Sequence, residues 1–124
     1  MEVAIDSSNT QKFTKASNST PAELASKSVI ELLDGTQIQK HEIDGLIVSS
    51  SSSDTYLGNI VSEMVGIKPK FSTKVENLCN SGTSGVMLAY SLIKSGLCNA
   101  VLVTGVEKQN SRGNKLIWDI SRGQ

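Results

Sequence analysis

The sequence predicts an α/β domain built on a largely parallel, mixed sheet with helices on both faces. Three observations support this fold class. Short apolar runs rich in β-branched residues alternate with segments whose apolar residues recur at helical spacing. Glycine or proline follows most of these segments, as expected where a helix or strand ends. The 124 residues suffice for one layered domain, so we expect a single domain over residues 1–124.

The chain opens with a predicted strand, a loop and a helix. Met1–Ile5 is a short apolar run suited to a strand, and the polar residues from Asp6 to Ser19 predict a loop. A helix is predicted over Pro21–Asp34, because Thr20 can cap its start and Glu23 can bond back to the cap. The apolar residues of this helix that fall on one face are Leu24, Ala25, Val29, Leu32 and Leu33. Gly35 is expected to end the helix in a left-handed conformation.

Three strands and two helices follow. The predicted strands are Ile43–Val48, Phe71–Leu78 and Ala100–Thr104, and the predicted helices are Tyr56–Val65 and Gly82–Ser95. Glycine follows both helices, at Gly66 and Gly96. The serines at 49–53 are expected to form a loop at the sheet edge, since they lack the glycine and lysine pattern of a phosphate-binding loop. After Gly105 the sequence is polar, except for residues 116–118, which need a partner surface.

Composition excludes several classes of partner. Twelve Lys and Arg balance twelve Asp and Glu, and no block of basic residues forms the footprint of a nucleic-acid site. No run of about 18 apolar residues occurs, and the amino terminus lacks the basic-then-apolar order of a secretory signal. We therefore expect a soluble, cytoplasmic chain with no metal site, no nucleic acid and no membrane partner.

Cys79 lies in the most informative stretch, Val75–Gly85, where a predicted strand ends in a cysteine and small residues lead into a helix. A thiol in that place is near helical N–H groups, whose partial positive charge favours the nucleophilic thiolate. The same N–H groups can stabilise the oxyanion that forms when a thiolate attacks an acyl group. The alternative is an ordinary buried cysteine, and spacing alone does not decide between the two.

The other candidate residues have simpler interpretations. His41 is the only histidine, and we interpret it as a solvated loop residue before a strand. Cys98 precedes a buried strand and is expected to pack as a small apolar residue. Both cysteines are expected to be reduced. Glu107 and Lys108 either pair across a subunit contact or lie in a solvated turn, and we leave both possibilities open.

Three pieces of sequence resemble thiolases. They are Asn77–Gly82 (NLCNSG), Ala89–Gly96 (AYSLIKSG) and Val101–Lys108 (VLVTGVEK). In order and spacing they match a nucleophilic cysteine followed closely by glycine, a central helix that ends in a glycine turn, and a strand that finishes in a Gly-Val-Glu-Lys type of signature. The asparagine after Cys79 and the stretch Trp118–Gly123 are similar to the acetyl-CoA acetyltransferases of the sterol-carrier-protein and archaeal type. The resemblance covers nearly the whole chain as a thiolase amino-terminal half.

The resemblance implies that Cys79 attacks the thioester of an acyl-CoA, holds the acyl group and passes it to CoA or to the carbanion of a second acetyl-CoA. It implies no cofactor beyond the CoA thioester substrate. The family's second half supplies a histidine in a Gly-His-Pro motif and a second cysteine beside glycines, and neither motif occurs here. We therefore expect a truncated or split thiolase, inactive alone, that forms a homodimer or a complex with a carboxyl-terminal thiolase subunit.

Two alternatives stay open. The first is a ketoacyl synthase or hydroxymethylglutaryl-CoA synthase relative, which would share the fold and the cysteine; the ending Gly105–Lys108 favours a thiolase. The second is a non-catalytic, thiolase-like scaffold subunit whose partner performs the chemistry. Retention of Cys79 within an intact turn of small residues argues against a scaffold.

Overall fold

The computed structural model of the chain describes residues 2–14 and 17–108. Within them, three parallel strands form one sheet, namely β1 (Gly45–Ser49), β2 (Phe71–Val75) and β3 (Val101–Gly105), in the order β2-β1-β3. Three helices pack on the sheet, namely α1 (Pro21–Asp34), α2 (Leu57–Val65) and α3 (Ser81–Lys94). The α/β class and the parallel sheet are confirmed.

The core lies on both faces of the central strand. Every residue of β1 is buried, as expected for the middle strand of a parallel sheet. Leu46 and Val48 belong to the apolar cluster formed with α1 and α2, whereas Ile47 belongs to the cluster formed with α3. The alternation of side chains along β1 therefore places α3 alone on one face and the other two helices on the opposite face.

Asp44 ties the three strands together at their amino ends. Its N–H donates to Ala100 O at 3.0 Å, and its carbonyl accepts the N–H groups of Lys70 (2.9 Å) and Phe71 (3.3 Å). Its carboxylate accepts the N–H groups of Asn99 and Ala100 at 2.9–3.0 Å. Burial of the carboxyl opposes ionisation, but the N–H groups of Ala100 and Asn99, helped by the charge of Lys70, outweigh it and lower the pKa of Asp44.

The helix ends follow the sequence, with one correction. Thr20 and Glu23 form the expected capping box, with reciprocal bonds of 3.1 Å. Gly66 (φ 78°) and Gly96 (φ 81°) adopt the left-handed conformation predicted for helix-ending glycines. Gly35 does not, since its φ is −86°. The last turn of α1 closes instead through short-range bonds from Gly35 N–H to the carbonyls of Glu31 and Leu32, which need no positive φ.

The strand predicted over Met1–Ile5 is wrong, because residues 2–14 contain no strand or helix. Ile5 is largely exposed instead of paired. The segment is bound to α1, where the Asn9 amide donates to Ser28 O at 3.2 Å and Gln11 bonds Glu31. A strand needs a neighbour for its N–H and C=O groups, and these side-chain bonds direct the segment across a helix.

The other predicted elements exist with shifted ends. The strand expected over Ile43–Val48 runs from Gly45 to Ser49, and the strand expected over Ala100–Thr104 runs from Val101 to Gly105. The strand expected to reach Leu78 ends at Val75, and the helix expected from Gly82 begins at Ser81. Residues 76–80, which we call the cysteine turn, therefore lie between β2 and α3. Residues 109–124, including the apolar residues 116–118, lie outside the described part of the chain.

Gly58 allows α2 to approach the sheet closely. A Cβ atom built on Gly58 would lie 2.6–2.9 Å from the backbone of Thr73 in β2, a separation that no real Cβ tolerates. Because the atoms that the Cβ would meet belong to the backbone of Thr73, no flexible side chain can move to make room. The packing of α2 on β2 thus requires a residue without a side chain at position 58.

We predict that Gly58→Ala lowers the free energy of unfolding by about 1–3 kcal/mol, because the helix must move away from β2. The matched control is Gly82→Ala in α3, where an added Cβ would meet nothing within 4 Å. Because alanine favours a helix over glycine by about 1 kcal/mol, the control should be neutral or stabilising. Urea unfolding of both variants checks this, and equal midpoints would contradict the close approach.

We predict that Asp44→Asn costs about 1–2 kcal/mol at neutral pH, because charge-assisted bonds at the amino ends of the strands are lost. The folded-state pKa of Asp44 lies below its unfolded value of about 3.9, so its stabilisation is complete above about pH 4 and is lost as pH falls through the folded pKa. Urea unfolding at pH 3–7 should show the wild-type and variant curves converging in acid. Asp34→Asn, at an exposed carboxylate, should retain the wild-type pH dependence.

Candidate active site

The cysteine turn places Cys79 at the carboxyl edge of the sheet, one residue before the N-cap of α3. Cys79 lies in a single 3₁₀ turn, Leu78–Asn80, and its thiol is free and exposed. Asn80 precedes the first residue of α3 and makes no side-chain capping bond. The N–H groups in the first turn of α3 therefore donate no hydrogen bond to the Asn80 side chain, and they carry the positive end of the helix dipole.

Leu78, immediately before Cys79, has an unusual backbone conformation. Its φ is +48°, in the left-handed region that branched side chains rarely occupy. Such a conformation costs about 1–2 kcal/mol in a residue with a Cβ and persists only where neighbouring groups hold it. The only other non-glycine residue in the described chain with positive φ is Tyr56, which lies in the loop after β1 at the same sheet edge.

Side chains around Cys79 hold this conformation. The Glu76 carboxylate accepts the N–H of Leu78, and the Ser81 hydroxyl donates to the carbonyl of Leu78 at 2.7 Å. The Ser81 oxygen also accepts the N–H of Asn77 at 2.8 Å, and the Asn77 amide donates to Ser84 Oγ at 3.3 Å. Both backbone polar groups of Leu78 are thus fixed, and the turn is tied to the first residues of α3.

Ser49 and Gly85 pack together beneath the start of α3. Ser49 is the last residue of β1, and its hydroxyl is buried with no hydrogen-bond partner. A Cβ atom built on Gly85 would lie 2.2 Å from Ser49 Oγ and 3.1 Å from Val103 Cγ1. The two residues are complementary in size, because the serine hydroxyl occupies the space that a side chain at position 85 would need.

The loop after β1, residues 50–54, which we call the serine loop, is held from two sides. The Glu107 carboxylate accepts the N–H of Ser51 at 2.5 Å and its hydroxyl at 2.7 Å. Lys74 Nζ, in β2, donates to the carbonyls of Ser52 and of Asp54, the latter at 3.1 Å. The predicted loop exists, but it begins at Ser50, because Ser49 is the last residue of β1. Glu107 is exposed and binds the serine loop, and its pairing with Lys108 across a subunit contact stays a prediction.

A cleft of about 1030 Å³ opens beside Cys79. Leu78 and Cys79 line one side of it, residues 102–108 line a second, and α1 with the segment 7–14 lines a third. Consecutive residues of β3 line the cleft, so it runs along the edge of that strand. Among the described residues, β3 pairs only with β1.

The remaining candidate residues lie away from Cys79. His41 is exposed in a short 3₁₀ turn before β1, at the opposite edge of the sheet, as expected for a solvated loop residue. Cys98 is a buried, free thiol. Burial, and secondarily the charge of Asp44, raises the pKa of Cys98. Its interpretation as a packing residue agrees with this placement, and neither residue can reach Cys79.

Sequence reasoning proposed Cys79 as a candidate and missed the residues that hold its turn. Glu76, Asn77 and Ser81 act through hydrogen bonds of the folded turn, which no local sequence pattern marks. The single signal available was the group of small polar residues after the cysteine. Within the described chain, no cluster of three or more His, Cys, Asp or Glu could hold a metal ion. Over the same residues, no helix has the length and apolar character needed to cross a membrane.

A protein-family model described as the thiolase N-terminal domain matches residues 3–120. The chain therefore belongs to the thiolase family, of which it carries the amino-terminal domain. This agrees with the resemblance found in the sequence and with the α/β architecture.

Two curated relatives show comparable similarity. An acetyl-CoA acetyltransferase of Methanocaldococcus jannaschii is 29% identical over 112 residues, which cover 86% of this chain and 29% of the relative. A β-ketoacyl-[acyl-carrier-protein] synthase III of Ehrlichia canis is 29% identical over 100 residues, which cover 78% of this chain and 31% of the relative. The chain thus spans less than a third of the length of either protein.

Solved structures show the same fold. The 3-oxoacyl-[acyl-carrier-protein] synthase III of Aquifex aeolicus superposes with a TM-score of 0.70 at 23% identity, over 77% of this chain and 32% of that one. At this level of identity the similarity concerns the architecture alone.

We predict that Gly85→Ala lowers the free energy of unfolding by about 1–3 kcal/mol, because the new methyl group collides with the Ser49 hydroxyl. Ser49→Ala alone should be neutral or stabilising, since it removes an unpaired buried hydroxyl. The double variant should recover most of the loss. Chemical unfolding of all four proteins gives the coupling energy, and strictly additive effects would show that the two residues do not meet.

Proposed function

We propose that this chain supplies the acyl-accepting cysteine of a thiolase-type acyltransferase. The observation that carries the proposal is an exposed thiol, Cys79, in a strained turn whose conformation is held by side chains at the start of a helix. Buried cysteines need no such arrangement. Strain stabilised by several hydrogen bonds is typical of functional sites.

The proposed reaction begins when the Cys79 sulfur attacks the carbonyl carbon of an acyl-CoA. A bond from Sγ to carbon forms, the bond from that carbon to the CoA sulfur breaks, and CoA leaves with the proton of the thiol. In the second step the acyl group passes to CoA or to the carbanion of acetyl-CoA, and the cysteine is regenerated. N–H groups at the start of α3 favour the negative charge that develops during each attack. No cofactor is needed for this chemistry.

Neither His41 nor Cys98, the two described candidates for the acid and base that both steps require, lies beside Cys79. The chain's one histidine, His41, lies at the opposite edge of the sheet, and its second cysteine, Cys98, is buried. We therefore propose that another stretch of polypeptide, either a continuation of the chain or a carboxyl-terminal thiolase subunit, completes the site. Two free thiols suit a reducing compartment such as the cytoplasm.

Two unsatisfied surfaces support the need for more polypeptide. The first is the outer apolar face of α3, formed by Val86, Met87 and Tyr90, which are 51%, 66% and 51% exposed. A helix that is apolar on both sides is ordinarily covered on both sides. The second is the outer edge of β3, which has no partner strand among the described residues.

We propose that a homodimer forms along β2, the outer strand on the opposite side of the sheet from β3. Within the described chain, β2 pairs only with β1, so its outer N–H and C=O groups are available for a second copy. Pairing of two β2 strands across a two-fold axis would extend the sheet from one protomer into the other. Because the cysteine turn follows β2, this contact would also place the two sites near the interface.

The relative of Ehrlichia canis supports a second candidate, a condensing enzyme of the ketoacyl synthase kind. Its identity to this chain equals that of the acetyltransferase. Such an enzyme would use the same acyl-cysteine step but take an acyl-carrier protein as one substrate. If Cys79 passes its acyl group to CoA and not to an acyl-carrier protein, the thiolase is the favoured candidate.

We predict that Cys79 becomes acetylated when the protein, isolated from its native cells with any co-purifying chain, is exposed to acetyl-CoA. Intact mass and peptide mass spectrometry locate the group and identify the completing polypeptide. Cys79→Ser should abolish the thioester. Cys98→Ala should retain it, because the Cys98 thiol is buried and its raised pKa keeps it protonated. An unmodified Cys79 in a complete, folded preparation would exclude acetyl transfer and favour the scaffold.

A further inference from the structure

The Ser81 hydroxyl binds both of the residues that precede Cys79. It accepts the N–H of Asn77 at 2.8 Å and donates to the carbonyl of Leu78 at 2.7 Å. The backbone N–H of Ser81 donates to the same carbonyl. Ser81 is the first residue of α3 and is only 4% exposed. A buried hydroxyl that uses both its donor and its acceptor fixes the direction of the Leu78 carbonyl.

The direction of the Leu78 carbonyl determines the direction of the Cys79 N–H. The two groups belong to one planar trans peptide unit, in which the C=O and N–H bonds point in opposite directions. Because the carbonyl points to Ser81, the Cys79 N–H points away from Ser81. Among the described residues, this N–H donates to no acceptor. The residue that bears the exposed thiol therefore also carries an available hydrogen-bond donor.

The strained conformation of Leu78 explains why the hydroxyl is needed. A leucine at φ +48° would reach a lower energy at negative φ, and that change would rotate the peptide unit it shares with Cys79. Glu76 holds the N–H of Leu78, which belongs to the preceding peptide unit. Within the described chain, the bonds from Ser81 are thus the ones that hold the unit containing the Cys79 N–H.

We propose that Ser81 is a positioning residue, which presents the Cys79 N–H to the oxygen of the acyl group that Cys79 attacks. When the bond from Sγ to the acyl carbon forms, negative charge moves onto that oxygen, and a donor beside the nucleophile stabilises it. The N–H of the nucleophile itself serves in this way in serine proteases. The inference rests on the proposed acyl transfer to Cys79.

The first test compares acylation with alkylation of Cys79 in the complete preparation. Attack on acetyl-CoA places charge on an oxygen, whereas attack on the saturated carbon of iodoacetamide expels iodide and forms no oxyanion. Ser81→Ala should slow acylation by about 10-fold to 100-fold, less than outright loss of a donor because the Ser81 N–H bond remains. Its alkylation rate should be unchanged. Equal losses in the two reactions, or an unchanged acylation rate, would overturn the proposal.

Two further variants separate the hydroxyl from the backbone conformation that it maintains. Ser81→Thr retains the hydroxyl and should acylate at close to the wild-type rate. Leu78→Asn, added to Ser81→Ala, should recover part of the lost rate, because asparagine adopts the left-handed conformation at low cost. Recovery in either variant supports the positioning role, and failure of both to restore acylation contradicts it.

Ser91→Ala is the matched control, since the Ser91 hydroxyl also donates to a backbone carbonyl, that of Met87 at 3.0 Å. Ser91 lies further along α3, about 15 Å from Ser81 at a rise of about 1.5 Å per residue, and its loss should leave both rates unchanged. The buried thiol of Cys98 should stay unalkylated in every folded variant, so it reports unfolding in the same digest.

The wild-type protein distinguishes failure of this inference from failure of the proposed function. If no thioester acylates wild-type Cys79, the proposed acyl transfer is wrong and the role of Ser81 in it is wrong too. If the wild type is acylated and Ser81→Ala reacts at the same rate, only the role of Ser81 is wrong.

Discussion

The parallel pairing of β1 with both β2 and β3 is the constraint on which the rest of the structure depends. Its register pairs Ser49 with Val75 and with Gly105, so the three strands end at the same level. The chain therefore leaves all three strands at one edge, where the cysteine turn, the serine loop and Glu107 meet. A slip of one residue would turn each side chain of the shifted strand to the opposite face and separate the turn from α3.

The helices and strands were predictable where a single sequence pattern determines the local structure. Helical spacing and a capping box defined α1, and β-branched runs located the three strands to within a few residues. The failures share a cause, which is competition from tertiary contacts. Met1–Ile5 has the composition of a strand, but the residues after it bond to α1. Gly35 permits a positive φ, but the short-range bonds that close α1 make that conformation unnecessary.

The candidate site shows where sequence reasoning stops. Cys79 was chosen as the candidate because a strand, a thiol and small residues occur in an order that suits nucleophilic chemistry. The support around it was not predicted, since Glu76, Asn77 and Ser81 are common polar residues whose bonds are defined only by the folded turn. The complementary pair of Ser49 and Gly85 is likewise invisible in the sequence, because the two residues lie 36 positions apart and meet only after α3 has packed on the sheet.

The outer apolar face of α3 affects how stable and how abundant the chain is in a cell. A contiguous apolar patch on a newly made protein attracts chaperones, promotes aggregation and exposes the chain to proteases. If a second polypeptide covers this face, the amount of folded chain depends on the supply of that polypeptide. Synthesis of the two in balanced quantities would then control abundance, and any excess of this chain would be degraded.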